Sequence, residues 1–197
     1  MILKSYLVEN NLSSIGHYNA VVFYGENEGL KEDFKNKIKI LHKDTEIITF
    51  FQEDILNDKD ILFNNIVNKS LFNLKKIIII NEVSDKIFSC LEEILDKINK
   101  DLRIYIFCNL LDKKSKIRNS FEKKSDLGII PCYPDNERTL INYTNNLMRD
   151  FQGVTSEVVN HIIQNSNLDR KIIKSELIKI KGLFTDKKID KKKSFRV

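Results

Sequence analysis

The chain has 197 residues, 42% hydrophobic and 31% charged, a globular composition long enough for one large or two small domains. Its 33 Lys and Arg against 28 Asp and Glu give a net charge of +5, which allows an acidic partner without identifying one. Lys4 and Glu9 interrupt the N-terminal apolar residues, and the longest apolar runs, Ala20 to Tyr24 and Ile104 to Cys108, fall far short of the ~20 residues of a membrane helix, so neither a secretory signal nor a membrane partner is expected and a cytoplasmic protein is.

The first apolar run is Ala20 to Tyr24, and its successors are Glu46 to Phe51, Lys76 to Ile80, Arg103 to Phe107 and Gly128 to Cys132. They are mostly apolar rather than alternating, as strands buried on both faces of a parallel sheet should be. Helical patterns separate them. Leu30, Phe34, Ile38 and Leu41 share one face, as do Ile87, Leu91, Ile94, Leu95 and Ile98, with Ser84 or Asp85 available as a cap. Such alternation predicts right-handed βαβ crossovers and a doubly wound α/β sheet.

After about Asp135 the strand signals stop. Leu140, Tyr143 and Leu147 mark a helix ending near Phe151-Gln152-Gly153; Thr155 can cap a second carrying Val158, Val159, Ile162 and Ile163. Asn167 or Asp169 can open a third, with Ile172, Ile173, Leu177 and Ile180 turned inward. The expected organisation is an α/β domain over 1–134, a small all-α domain over 135–186 and a disordered basic tail over 187–197.

An α/β sheet followed by a small helical domain suggests a phosphate-loop ATPase with a lid, so the first strand-to-helix turn, Tyr24-Gly25-Glu26-Asn27-Glu28-Gly29-Leu30-Lys31, is decisive. Its second glycine, Gly29, comes one residue early, and no hydroxyl follows Lys31 to hold magnesium. Glu26 and Glu28 stand where a polyphosphate would arrive; like charges ~4 Å apart cost on the order of 1–4 kcal/mol per pair. At the third strand, Asn81 replaces the metal-holding Asp of an acidic motif and leaves Glu82 alone. ATP hydrolysis is not expected. The scattered cysteines Cys90, Cys108 and Cys132 and the isolated His17, His42 and His161 suggest no metal site, and no other catalytic constellation is visible. Neither a cofactor nor a metal is expected.

Before the third strand lies Ser70-Leu71-Phe72, following a helix on which Leu62 and Ile66 share a face. Two readings fit the adjacent apolar pair: both side chains tuck under the sheet edge, or they anchor in a pocket on a partner protein. The basic stretch Lys113, Lys114, Lys116, Arg118, Lys123 and Lys124 is either a solvated helix face, interspersed with Asp112, Glu122 and Asp126, or a contact for DNA phosphates.

The order of these segments resembles the delta subunit of the bacterial DNA polymerase III clamp loader. The similarity is carried by Phe23-Tyr24-Gly25-Glu26-Asn27, by Ser70-Leu71-Phe72 ahead of Lys75-Lys76, and by Leu110 to Lys116. Asn167 to Lys171 and Glu176 to Ile180 continue it. The resemblance implies an AAA+ (RecA-like) parallel-sheet domain followed by an all-α lid, in a DNA-replication protein of the cytoplasmic, nucleoid-associated replisome. It implies a part in a DNA-directed DNA polymerase holoenzyme without catalysis of its own. Leu71 and Phe72 would enter a hydrophobic cleft of the ring-shaped sliding clamp (the beta subunit) and help open it, with Ser70 and Lys69 shaping the turn. Lys69 stands where the family often has a smaller or apolar residue. Gly25, Gly29, Lys31, Asn81 and Glu82 would form a degenerate nucleotide site that does not bind ATP. Other loader subunits and primed DNA, through Lys113, Lys114, Lys116 and Arg118, are the further partners implied. The family's all-helical collar has no counterpart before Val197, so a truncated or frame-cut sequence is expected. The alternatives are a divergent AAA+ ATPase using Glu82 and a DNA-binding replication adaptor.

Overall fold

Each of the five apolar runs forms a strand: β1 Ala20–Tyr24, β2 Glu46–Phe51, β3 Lys76–Val83, β4 Leu102–Cys108 and β5 Leu127–Pro131. The computed structural model describes residues 1–67, 75–98 and 101–189, which fall into two compact units, Met1–Tyr133 and Pro134–Val197. All strand pairs are parallel, in the order β2-β3-β4-β1-β5.

The sheet is covered on both faces, which is why its strands read as mostly apolar runs. Val21, Phe23, Ile79, Tyr105 and Phe107 face α1 (Ser5–Asn10), a 3₁₀ turn at Leu12–Ile15 and α2 (Glu28–Leu41), from which Leu30, Phe34 and Ile38 enter the core. Each such side chain contributes about 1.5–3 kcal/mol on burial. Val22, Ile78, Ile80, Ile104 and Ile106 face the other way. They meet α3 (Gln52–Asn57), α4 (Asp60–Val67), α5 (Phe88–Leu95) and α6 (Lys116–Lys123) through Ile55, Leu62, Leu91, Ile94, Ile117 and Phe121.

The caps set where these helices begin. Asn27 accepts the Leu30 N–H at 2.9 Å to start α2, and Ser115 accepts the Arg118 N–H at 3.2 Å to start α6. Ser84 caps a 3₁₀ turn, Asp85–Ile87, that leads into α5. Asp85 instead turns across to α6, a role that its place in the sequence does not reveal.

The second unit is α7 (Glu137–Leu147), α8 (Ser156–Asn165) and α9 (Arg170–Leu183) around Leu140, Tyr143, Val159, Ile163, Ile173, Leu177 and Ile180. Thr155 caps α8 and Asp169 caps α9, while Asn167 and Leu168 take left-handed φ values of 49° and 61° in the turn between them. Helix α7 stops at Leu147, before Phe151-Gln152-Gly153. Of the tail expected to be disordered, Lys187 to Ile189 are held: Gln152 donates its N–H to the Lys187 carbonyl at 2.8 Å and accepts from the Ile189 N–H at 2.9 Å. Gly153 (φ +79°) makes room for this, since a Cβ there would sit 2.6 Å from the Ile189 carbonyl oxygen. Residues 190–197 lie outside the described residues.

Candidate functional site

The turn leaving β1 is stitched to its neighbours. Gly25 has φ +130°, and a Cβ on it would lie 2.3 Å from the Cys132 carbonyl oxygen, so only glycine fits between β1 and β5. Its N–H donates to the Asn109 carbonyl at 3.2 Å, the Asn27 N–H to Cys132 O at 3.1 Å, and the Asn27 side-chain amide to Tyr133 O at 3.1 Å. Two amides that a phosphate loop would aim at its ligand, those of Gly25 and Asn27, are used within the protein. Gly29 is buried in the first turn of α2.

Lys31 is only 3% exposed. Its ammonium donates to the Cys108 carbonyl at 2.9 Å and pairs with the Glu28 carboxylate at 2.6 Å. The lysine of the expected nucleotide site is thus satisfied internally.

Asn81 and Glu82 sit in a β-bulge: Ile80 pairs with Ile106 and Val83 with Cys108, so β3 carries one extra residue. Glu82 absorbs the irregularity with φ 57° and is exposed. Asn81 is 6% exposed; its amide nitrogen lies 3.5 Å from the Phe50 carbonyl, and its Oδ1 has no hydrogen-bond partner among the described residues. Lys31, Asn81 and Glu82 line one polar cavity of ≈ 270 Å³ together with Lys35, Phe107 and Asn109, whereas Gly25 and Gly29 do not. Asn109 was not singled out from the sequence, although its position just past β4 places it at the same end of the sheet. Burial lowers the Lys35 pKa against the pull of Glu32 and Glu28, and its ammonium stands 4.8 Å over the Phe107 ring. Asn81, where the acidic motif would have its Asp, is a neutral amide and a poorer ligand for a hard cation than a carboxylate.

Lys69, Ser70, Leu71 and Phe72, the expected clamp contacts, lie outside the described residues. Their flanks are described. On α4, Leu62 is buried, Ile66 packs on the core, and Phe63, 39% exposed, lies 4.6 Å beneath the Lys97 ammonium. Lys76 donates to the Asn65 carbonyl at 2.7 Å, fixing the start of β3 to the last turn of α4. A groove of ≈ 550 Å³ between α3, α4 and α5 is lined by Ile55, Leu56, Phe63, Cys90, Ile94 and Lys97 among others. Three different helices form it, so no local pattern announces it.

Lys113, Lys114 and Lys116 are exposed around the start of α6. Arg118 is turned inward. It pairs with Glu122 at 2.7 Å, donates to the Leu111 carbonyl at 3.3 Å and lies 5.3 Å over the Tyr24 ring. Burial pushes the Tyr24 phenol well above its ordinary pKa, and a 3.5 Å contact with the Tyr133 hydroxyl adds to this. Among the described residues no helix is long and apolar enough to cross a membrane.

No protein-family model matches the chain, and no curated protein matches it. Among solved structures it is similar to the Bacillus subtilis DNA clamp loader delta protein (YqeN), with TM-score 0.66, 16% identity, and coverage of 94% of this chain and 59% of that one. It is also similar to Rhizobiales Trip13, with TM-score 0.55, 12% identity, and coverage of 98% and 80%. The chain therefore spans somewhat under two thirds of the length of the delta structure. At these identities the likeness is one of fold: a five-stranded parallel α/β sheet followed in the chain by helices, delta-like in fold.

Proposed function

We propose that this chain is a delta-type clamp-loader subunit that grips a sliding clamp through Leu71 and Phe72 and does not turn over ATP. The observation that carries the reading is the delta-like fold over 94% of the chain; in the sequence, Ser70-Leu71-Phe72 comes after the residues of α4 and before Lys75-Lys76 and those of β3, the order that the resemblance to the delta family rests on. The internal pairing of Lys31 supports the non-hydrolysing part. A leucine and a phenylalanine inserted into an apolar cleft supply burial on a partner, and such anchors carry ~2 kcal/mol or more each. The other loader subunits and primed DNA are further partners in this reading.

The test is surface-plasmon binding of the full chain to an immobilised sliding clamp. Leu71→Ala with Phe72→Ala is expected to abolish the signal while the far-UV circular dichroism and thermal midpoint stay as in the wild type. A double variant that binds the clamp normally refutes the grip.

A further inference from the structure

We propose that the Glu28 carboxylate is a built-in stand-in for a bound phosphate, an internal counter-ion to Lys31 that keeps the cavity between α2 and the ends of β3 and β4 closed to polyphosphates. Three observations lead there. Lys31 is buried to 3% exposure, yet its ammonium faces two acceptors, the Cys108 carbonyl at 2.9 Å and Glu28 Oε1 at 2.6 Å. The carbonyl is neutral, so among the described residues the full negative charge in ion-pair contact with this buried cation is that of Glu28. A buried cation without such a partner is unfavourable, so the site requires an anion, and the chain supplies it.

The second observation is where Glu28 stands. It is the first residue of α2, where the helix dipole favours negative charge, and its side chain is 56% exposed. An anion arriving from solvent at Lys31 meets this carboxylate first. The third is the cavity itself. Glu28 and Lys31 line it together with Lys35, Lys39, Asn109 and two further carboxylates, Glu32 and Glu82, and Asn81 Oδ1, on a residue 6% exposed, has no partner among the described residues. A buried acceptor left open in a polar cavity calls for a donor, which a magnesium-bound water or a hydrogen-phosphate hydroxyl provides. The cavity thus retains a buried cation and an open acceptor beside it, and the Glu28 carboxylate, the one in contact with that cation, occupies the place of the anion. The device gives the fold a fixed arrangement at this end of the sheet without a nucleotide, and it stands independently of the clamp-binding reading.

Calorimetric titration of the full chain with magnesium tripolyphosphate tests it. The wild type is expected to give a flat titration. Glu28→Gln keeps the side-chain shape and removes the charge, and it is expected to bind at least about tenfold more tightly, as loss of one like charge at this range requires. Glu28→Gln with Lys31→Met is expected to be flat again. Wild-type binding as tight as that of Glu28→Gln overturns the proposal; so does a flat Glu28→Gln that keeps the wild-type melting curve, or binding that survives Lys31→Met. Should Glu28→Gln fail to fold, the wild type alone decides: its Lys31 ammonium resonance in ¹⁵N-lysine spectra is expected to be protected from exchange and unmoved by tripolyphosphate. A rapidly exchanging or titrating signal refutes the plug. Clamp binding by Glu28→Gln is expected to match the wild type, so the two proposals fail separately.

Discussion

Asp85 accepts a hydrogen bond from the backbone N–H of Ile117 at 3.0 Å, fastening the end of β3 to the first turn of α6. The same carboxylate takes the Lys116 N–H at 2.9 Å and the Ser115 hydroxyl at 2.8 Å. Burial alone would raise its pKa, but these three donors outweigh burial and hold it below the ordinary value of 3.8. A depressed carboxylate stabilises the folded state above its unfolded pKa, and that stability is lost as pH falls through the folded pKa. Asp85→Asn is therefore expected to cost about 1 kcal/mol at neutral pH, the scale of charge-assisted bonds at an exposed site. The difference from the wild type should shrink below about pH 4. Urea melts at pH 7 and pH 3 check this; a gap that widens on acidification contradicts the assignment.

In the helical unit, Arg170 and Asp135 form a two-pronged pair, Nε to Oδ2 at 2.9 Å and Nη2 to Oδ1 at 2.8 Å, with side chains 3% and 5% exposed. The guanidinium also lies 4.2 Å over the Tyr143 ring, and Thr139 donates to Asp135 at 2.8 Å. Asp135→Ala removes both prongs of the pair from a buried cation and is expected to cost about 3–5 kcal/mol. Replacing both partners, Asp135→Leu with Arg170→Met, should cost clearly less, because no charge is left uncompensated. Thermal melts of the single and double variants compare the two.

The strands and the caps Thr155 and Asp169 were legible because their signals are local: an apolar run, or a side chain two or three residues before the amide it caps. What was illegible depends on partners far along the chain. Arg118 reads as one more member of a basic stretch, since charge says nothing about a rotamer that folds it onto Tyr24. Lys31 reads as a lysine of a failed phosphate loop, and only the parallel register of β1 and β4 brings the Cys108 carbonyl to it. The bulge at Asn81 and Glu82 carries no glycine to announce it. The groove beside α4 is assembled from three helices, none unusual by itself.

That bulge makes a prediction of its own. Glu82 holds φ 57°, a conformation that costs an ordinary residue roughly 1–2 kcal/mol and glycine almost nothing. Its side chain is exposed, so Glu82→Gly is expected to be neutral or stabilising by up to about 1 kcal/mol in chemical denaturation. An ATPase that depended on this carboxylate would instead show turnover in the wild type that Glu82→Gln removes. The expected coupled-assay result is no turnover above background in either protein.

The last prediction separates the basic residues near α6 by what each side chain already does. Lys113, Lys114 and Lys116 are exposed, and each one that meets a DNA phosphate contributes ~0.9 to the slope of log affinity against log salt. Arg118 is engaged with Glu122, the Leu111 carbonyl and the Tyr24 ring, and the Glu122 bond raises its pKa further. On the DNA-adaptor reading, Lys113→Ala, Lys114→Ala and Lys116→Ala together should flatten that slope by up to ~3 and leave the melting temperature unchanged. Arg118→Ala should do the reverse, losing about 1–2 kcal/mol of stability as its hydrogen bonds and ring contact disappear, with the salt slope unaltered. Fluorescence anisotropy on primed DNA over a salt series, read beside thermal melts, distinguishes the two classes. A salt slope that Arg118→Ala reduces as much as a lysine variant does would mean that the guanidinium leaves Tyr24 to meet the phosphates.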